Sequence, residues 1–221
     1  MTAVSQFTQE ENATLDRIFE SRRSIRTFTA DVPPKDDIIK IIRAGLFAPY
    51  AGQAVAGEVY FRRFVVIKKG SKQIAKVAEI AKQQVKSMAE QLNKELRSNL
   101  SSKKHGQEFV KRLERLAQIG VPGIGTAPYY IIVAERRGIP PVEQQSLAHC
   151  LQNMWLKATA LGLGFHLVSV TAQMAQDKEF CSLLGIPYGE FETNGCAIGY
   201  SKEGLSPASH PSIDEVTKWI E

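Results

Sequence analysis

The chain has 221 residues, 43% hydrophobic and 23% charged, a balance that excludes a disordered or fibrous polypeptide and allows one substantial core. Its net charge is +5, with a pI near 9.1, which would suit an anionic partner. No apolar run approaches the roughly 20 residues of a membrane span, and the polar, acidic N-terminus has no signal-peptide pattern. Three widely separated cysteines, Cys150, Cys181 and Cys196, fit reduced thiols in a cytoplasmic protein.

In chain order, Asn12 is a candidate cap for a first helix in which Leu15, Ile18 and Phe19 share a face. The stretch SRRSIRTF follows, with three arginines and two serines among residues 21–28. Pro33 and Pro34 open a second helix with an apolar stripe of Ile38, Ile39, Ile41, Ile42 and Leu46. The small-residue loop APYAGQAVAG leads into a strand, VYFRRFVVI. Two amphipathic helices, 71–99 and 104–119, are separated by the polar break SNLSS. After the turn VPGIGTAP come the strand YYIIVAE, a long helix that stops at glycine, and the strand FHLVSV. A short helix through EFCSLLG, the strand NGCAIGY and a last helix through IDEVTKWI complete the chain. About four strands among helices predict an α/β-layered domain, its sheet covered by helices.

Most standard chemical constellations are missing. The histidines His105, His149, His166 and His210 are scattered without metal-ligand spacing, which favours structural or surface roles. There is no GxSxG elbow, and the glycine pairs in GIGTAP and GLGFHL read as turns and a helix stop rather than a dinucleotide fingerprint. Residues 68–116 hold much of the basic charge, interleaved with glutamates and helically spaced apolar residues. With Phe109 as their one aromatic, they predict a solvated helical face rather than a nucleic-acid surface.

The arginine cluster remains. It reads as a basic helix end that complements the helix dipole, as a patch for nucleic acid or membrane, or as a socket for one doubly charged phosphate monoester. In the socket reading the segment runs extended, so that Arg22, Ser24 and Arg26 point to one side and Arg23 and Ile25 to the other.

Four segments in order carry a resemblance. RRSIRTF resembles the phosphate-binding RRSxRxF of the FMN-dependent nitroreductase family (NAD(P)H nitroreductase-like flavoproteins). AGLFAPYAGQA resembles that family's A-x-x-A-P-S-x-x-N segment. QNMWLKATALGLGFHLVSV is similar to its helix, glycine stop and following strand, and CAIGYSKE to its late strand and G-Y turn. The resemblance covers nearly the whole chain.

It implies an α+β fold with a central, mainly antiparallel sheet of about four to five strands flanked by helices, as a single FMN-binding domain over 1–221 with a helical insertion at about 70–122. It implies that Arg22, Ser24 and Arg26, with help from Arg23, hold the FMN phosphate. Pro49, Tyr50, Ala51 and Gln53 would lie by the flavin ring or ribityl chain. Leu167, Val168 and Ser169 would line the ring, the amides of Val168 and Ser169 facing the atoms where charge grows on reduction. His210 stands about where the family carries a C-terminal arginine, and Tyr50 and Gln53 stand where it commonly has serine and asparagine. The chain would be a cytoplasmic homodimer with FMN at the interface, taking hydride from NADH or NADPH and passing electrons by a ping-pong route to a nitro, quinone or similar small-molecule acceptor. Neither nucleic acid nor membrane is an implied partner, and no protein residue or metal is implied as catalytic. Two alternatives stay open: flavin-fragmenting or dehalogenating chemistry on the same fold, and a non-catalytic basic protein that binds anions or nucleic acid.

Overall fold

A computed structural model of the protein describes residues 7–50, 60–98, 103–204 and 208–220. Four antiparallel strands, β1 (Arg62–Lys68), β2 (Tyr129–Arg136), β3 (Gly164–Leu167) and β4 (Phe191–Gly199), form one sheet in the order β1-β2-β4-β3. Eight helices accompany them among the described residues: α1 (Gln9–Ser21), α2 (Lys35–Leu46), α3 (Lys72–Ser98), α4 (Lys103–Ile119), α5 (Glu143–Ala160), α6 (Thr171–Met174), α7 (Lys178–Leu184) and α8 (Ile213–Val216). This is the helix-flanked α+β arrangement expected, with four strands.

Strand β2 divides the core, because successive side chains point to opposite faces of a strand. Tyr129, Ile131 and Val133 pack with Ile38 and Ile41 of α2 and with Leu147, Cys150, Leu151 and Met154 of α5. Tyr130 and Ile132 join Ile74, Val77, Ala81 and Val85 of α3 and Val110 and Leu113 of α4 on the other face. The sequence YYIIVAE is almost wholly apolar because both faces of this central strand are covered.

Helices α3 and α4 lie within a residue of their expected bounds. Gly70, at φ +81°, turns β1 into α3, where the Ser71 hydroxyl accepts from the Ile74 N–H. The lysines and glutamates between the apolar positions face outward, as interspersed charge on a helix exterior should.

Other elements differ from expectation. Thr8 rather than Asn12 caps α1, through a capping box with Glu11. No residue of α1 is buried, and Leu15 and Phe19 are not covered by the described residues. In α2 only Ile38 and Ile41 of the expected broad stripe are buried, with Gly45 beside them, while Ile39 and Leu46 face outward. The last helix stops at Val216, and Trp219 and Ile220 are 81% and 87% exposed. Among the described residues no helix is long and apolar enough to cross a membrane.

Candidate functional site: a cationic cleft beside β3

The arginine segment leaves α1 at Arg22, where the backbone turns extended (φ −63°, ψ 125°), and runs along the free edge of β3. The Ile25 N–H donates to the Phe165 carbonyl at 3.0 Å, and Ser24 bridges to Phe165 in parallel. Ile25 is buried while Ser24 and Arg26 are exposed, the alternation of an extended chain. This docking explains the GLG stop after α5. Gly162 adopts φ +70° to end the helix, and Gly164 lets Ile25 approach, since a Cβ there would stand 2.8 Å from the Ile25 Cγ2. Beyond Arg26 the segment is tied to the exit of β4: the Thr29 N–H donates to the Tyr200 carbonyl and the Lys202 N–H to the Thr27 carbonyl.

Arg22 does not point where Arg26 does. Its guanidinium lies over the Trp155 ring at 4.3 Å, and the Trp155 indole N–H donates to the Arg23 carbonyl at 3.2 Å. Arg23 turns back to donate to the carbonyls of Glu20 and Arg22. Arg26 instead enters a cleft of about 210 Å³ whose walls include His166, Leu167, Val168 and Ser169 from the end of β3 and Phe109, Arg112 and Leu113 from α4. A second opening of about 490 Å³ adjoins it across Arg26, Val121 and Pro122 and carries Lys69 and Lys202 on its walls.

His166 is half-buried, with Nδ1 3.2 Å from the Pro122 carbonyl. That contact makes Nδ1 the protonated nitrogen, since a carbonyl can only accept. Burial, then the positive charge of Arg26, and more weakly that of Arg112, push its pKa down to about 4 against the pull of the Pro122 bond. The ring is therefore neutral at pH 7. Gly123 makes room beside it, for at φ +91° a Cβ would meet the Ala197 Cβ at 2.5 Å.

The end of β3 corrects one expectation. The Val168 N–H donates to the Gly195 carbonyl at 2.8 Å, so this amide is committed to the sheet rather than to a ligand. The strand ends at Leu167, and a chain of hydrogen bonds holds the following turn. The Thr171 hydroxyl donates to the Val168 carbonyl at 2.6 Å and meets the Tyr130 hydroxyl at 2.6 Å. Among the described residues the Ser169 N–H has no acceptor.

Pro49 and Tyr50 lie elsewhere. The Pro49 carbonyl accepts from Ser146 of α5, and Tyr50 stacks on Phe61 at 3.9 Å with its hydroxyl directed at the Arg136 carbonyl. The same corner holds the buried Arg62, which donates to Glu135, Ser146 and the Gly45 carbonyl. Arg136 ends β2, whereas His166 stands beside Ala197, the partner of Tyr130. At about 3.3 Å per strand residue that is roughly 20 Å along the sheet, and the α2–α5 face lies opposite the α3–α4 face that lines the cleft. Ala51 and Gln53 lie outside the described residues. His210 is exposed, and no described hydrogen bond joins it to the arginine segment. Reading the sequence missed His166 and Arg112 as cleft residues. A signal for Arg112 was present, since it interrupts the stripe of Phe109, Leu113 and Leu116 that shares one face of α4.

A model of the Nitroreductase family matches residues 19–200, and the chain belongs to that family. No curated protein matches. Among solved structures, the chain resembles an FMN-bound nitroreductase from Bacteroides fragilis NCTC 9343 (20% identity, 94% of this chain and 98% of that one, TM-score 0.67). It is equally similar to a BluB-like flavoprotein from Clostridium difficile 630 (21% identity, 94% and 99% covered, TM-score 0.68). An iodotyrosine deiodinase bound to FMN and 3-iodo-L-tyrosine also shares the fold (17% identity, 94% and 99% covered, TM-score 0.67).

Proposed function

We propose that the protein is an FMN-dependent oxidoreductase that takes hydride from NADH or NADPH and passes electrons to a nitro, quinone or similar acceptor. The observation that carries this reading is the docking of an extended, cation-bearing segment on the edge of β3, which brings Arg26 and residues 166–169 to one cleft. The residues fit the cofactor. Among the described residues neither Arg22 nor Arg26 has a carboxylate partner, and Ser24 and Arg26 are exposed, so positive charge and a hydroxyl remain available to a phosphate. Val168 and Leu167 offer apolar surface to a ring, and the Ser169 N–H is a donor beside them.

When bound, FMN supplies hydride acceptance and onward electron transfer, so no protein nucleophile is required. The chain's own work is to bind the phosphate through Arg22, Ser24 and Arg26, to orient the ring against residues 167–169, and to leave one open face for the substrates. Neutral His166 donates through Nδ1 to Pro122 and so fixes the wall of the cleft rather than adding a third positive charge.

The reading also includes a homodimer with the cofactor between subunits. Pro49 and Tyr50 stand on the opposite face and at the far end of the sheet from the cleft, so a site containing both motifs needs two chains. Reductant and acceptor sharing one face must bind in turn. Steady-state rates with both varied should give parallel double-reciprocal lines, and NADH or NADPH alone should bleach the yellow protein anaerobically. Intersecting lines would remove the shared face. A bound flavin that neither nicotinamide bleaches would remove the reductase reading in favour of flavin-fragmenting or dehalogenating chemistry.

A further inference from the structure

We propose that Tyr130 and Thr171 act together as positioning residues, aiming and strengthening the Ser169 N–H as a hydrogen-bond donor to the flavin and so raising its reduction potential. The inference rests on the proposed function, which sets an FMN ring against residues 167–169. It gives a role to a buried chain of hydroxyl groups that the proposed function leaves unused.

The direction of the chain is fixed by what each group can do. A carbonyl only accepts, so the Thr171 hydroxyl directs its single proton to the Val168 carbonyl, 2.6 Å away. Tyr130 is then the donor in its 2.6 Å contact with Thr171. Burial pushes the Tyr130 phenol above its ordinary range, which keeps that proton in place. The Val168 carbonyl also accepts from the Thr171 N–H at 3.1 Å, and the Thr193 hydroxyl donates to the Thr171 carbonyl at 2.7 Å. Tyr130, Thr171 and Thr193 are all buried. Gly195 leaves the room they need, since a Cβ there would stand 2.8 Å from the Thr171 hydroxyl and 2.9 Å from that of Tyr130.

The chain ends on the carbonyl of the Val168–Ser169 peptide, whose N–H is that of Ser169. This peptide is trans, so its two polar groups point in opposite directions. The carbonyl is held by two donors from within the protein. The N–H emerges at exposed Ser169, without an acceptor among the described residues. Two effects follow. The peptide plane cannot rotate without breaking both bonds, so the N–H keeps one direction. Drawing electron density to the carbonyl oxygen also leaves the amide hydrogen more positive, a reinforcement of about 10–30% per linked hydrogen bond. A donor prepared in this way gains most against a ring whose negative charge grows on reduction.

The test reads the midpoint potential of the bound flavin, by dithionite titration against an indicator dye at pH 7, and needs neither nicotinamide nor acceptor. Tyr130→Phe keeps the ring and removes the remote donor. It should shift the equilibrium about two- to fivefold toward the oxidised flavin, a potential lower by about 10–20 mV. Thr171→Val keeps the shape but removes the hydroxyl on the carbonyl, and should shift the equilibrium about tenfold, or about 30 mV. Thr171→Ser should return the wild-type potential. Because Tyr130 acts through Thr171, adding Tyr130→Phe to Thr171→Val should change nothing further. Wild-type potentials in both single variants, or additive shifts in the double variant, would overturn the proposal. So would a Thr171→Ser that falls as far as Thr171→Val, which would mark a packing role. A protein that takes up no FMN would overturn both this inference and the reading it rests on. A flavin that dithionite reduces and neither nicotinamide does, with potentials in the expected order, would sustain the inference and remove the reductase reading alone.

Discussion

Trp155 supports the arginine segment from below, its ring 4.3 Å beneath the Arg22 guanidinium and its indole N–H on the neighbouring Arg23 carbonyl. Trp155 in turn stacks on Phe165 at 5.0 Å, the residue whose carbonyl receives Ile25. Replacing Trp155 with phenylalanine keeps an aromatic surface but removes the donor. That should cost about 1 kcal/mol in urea unfolding and loosen cofactor retention in a desalting assay. Unchanged retention would mean that the segment holds its place without α5.

The two outer arginines should not count equally. Arg22 is engaged with an aromatic ring, whereas Arg26 stands in the cleft. Arg26→Ala should therefore weaken FMN binding more than Arg22→Ala. The double substitution should weaken it by roughly two to four decades, as two charge-assisted contacts at about 1.5–3 kcal/mol each imply. Fluorescence titration of the apoproteins reads this directly, and near-stoichiometric FMN in the purified double variant would dismiss the socket.

His166 predicts a pH dependence of stability. Its folded pKa, about 4, lies below the ordinary 6.5, so the unfolded chain takes up a proton first. The stabilising contribution is fully present above about pH 6.5 and is lost as pH falls toward 4. By pH 5 the loss should reach about 2 kcal/mol. Urea midpoints at pH 7.5 and pH 5 should separate less in His166→Gln than in the wild type. Equal separations would show that this imidazole is not the titrating group.

Assembly offers a fourth prediction. Phe47, Leu46 and Ile39 expose apolar surface at 74%, 58% and 50%, on and just after α2 beside the Pro49–Tyr50 corner. If a second chain covers that surface and completes the site, light scattering should report a dimer, and added FMN should raise its melting temperature by mass action. A flavin-loaded monomer would contradict both.

The parts legible in the sequence were those set by local periodicity. The apolar spacing of α3 and α4, from Ile74 through Ala89 and from Val110 through Leu113, specified both helices because one face of each is buried in the core they share, α4 packing on α3. Strand β2 was equally plain, with every residue of YYIIVAE buried. The end of β3 was not. Val168 and Val170 favour strand intrinsically, but the Gly195 carbonyl and the Thr171 hydroxyl bend the chain away, and these partners are distant in sequence or belong to the turn itself. IDEVTKWI carries helical spacing with no buried face to stabilise its second half, so α8 stops after one turn. The arginine motif was visible as a motif, yet the parting of Arg22 toward Trp155 and Arg26 toward His166 depends on where α5 and α4 lie.

The stitching of residues 24–29 to Phe165 and to Tyr200–Lys202 has a consequence for biosynthesis. The arginine segment leaves the ribosome long before the edge it docks on and the backbone that fastens it, well over a hundred residues further along. Such pairings over more than a hundred residues form late, after the cost of closing a long loop has been met. Until β4 has emerged and paired, the segment has no edge to lie on, and Arg26 has no cleft to enter. On the proposed reading, capture of FMN therefore waits until β4 is in place.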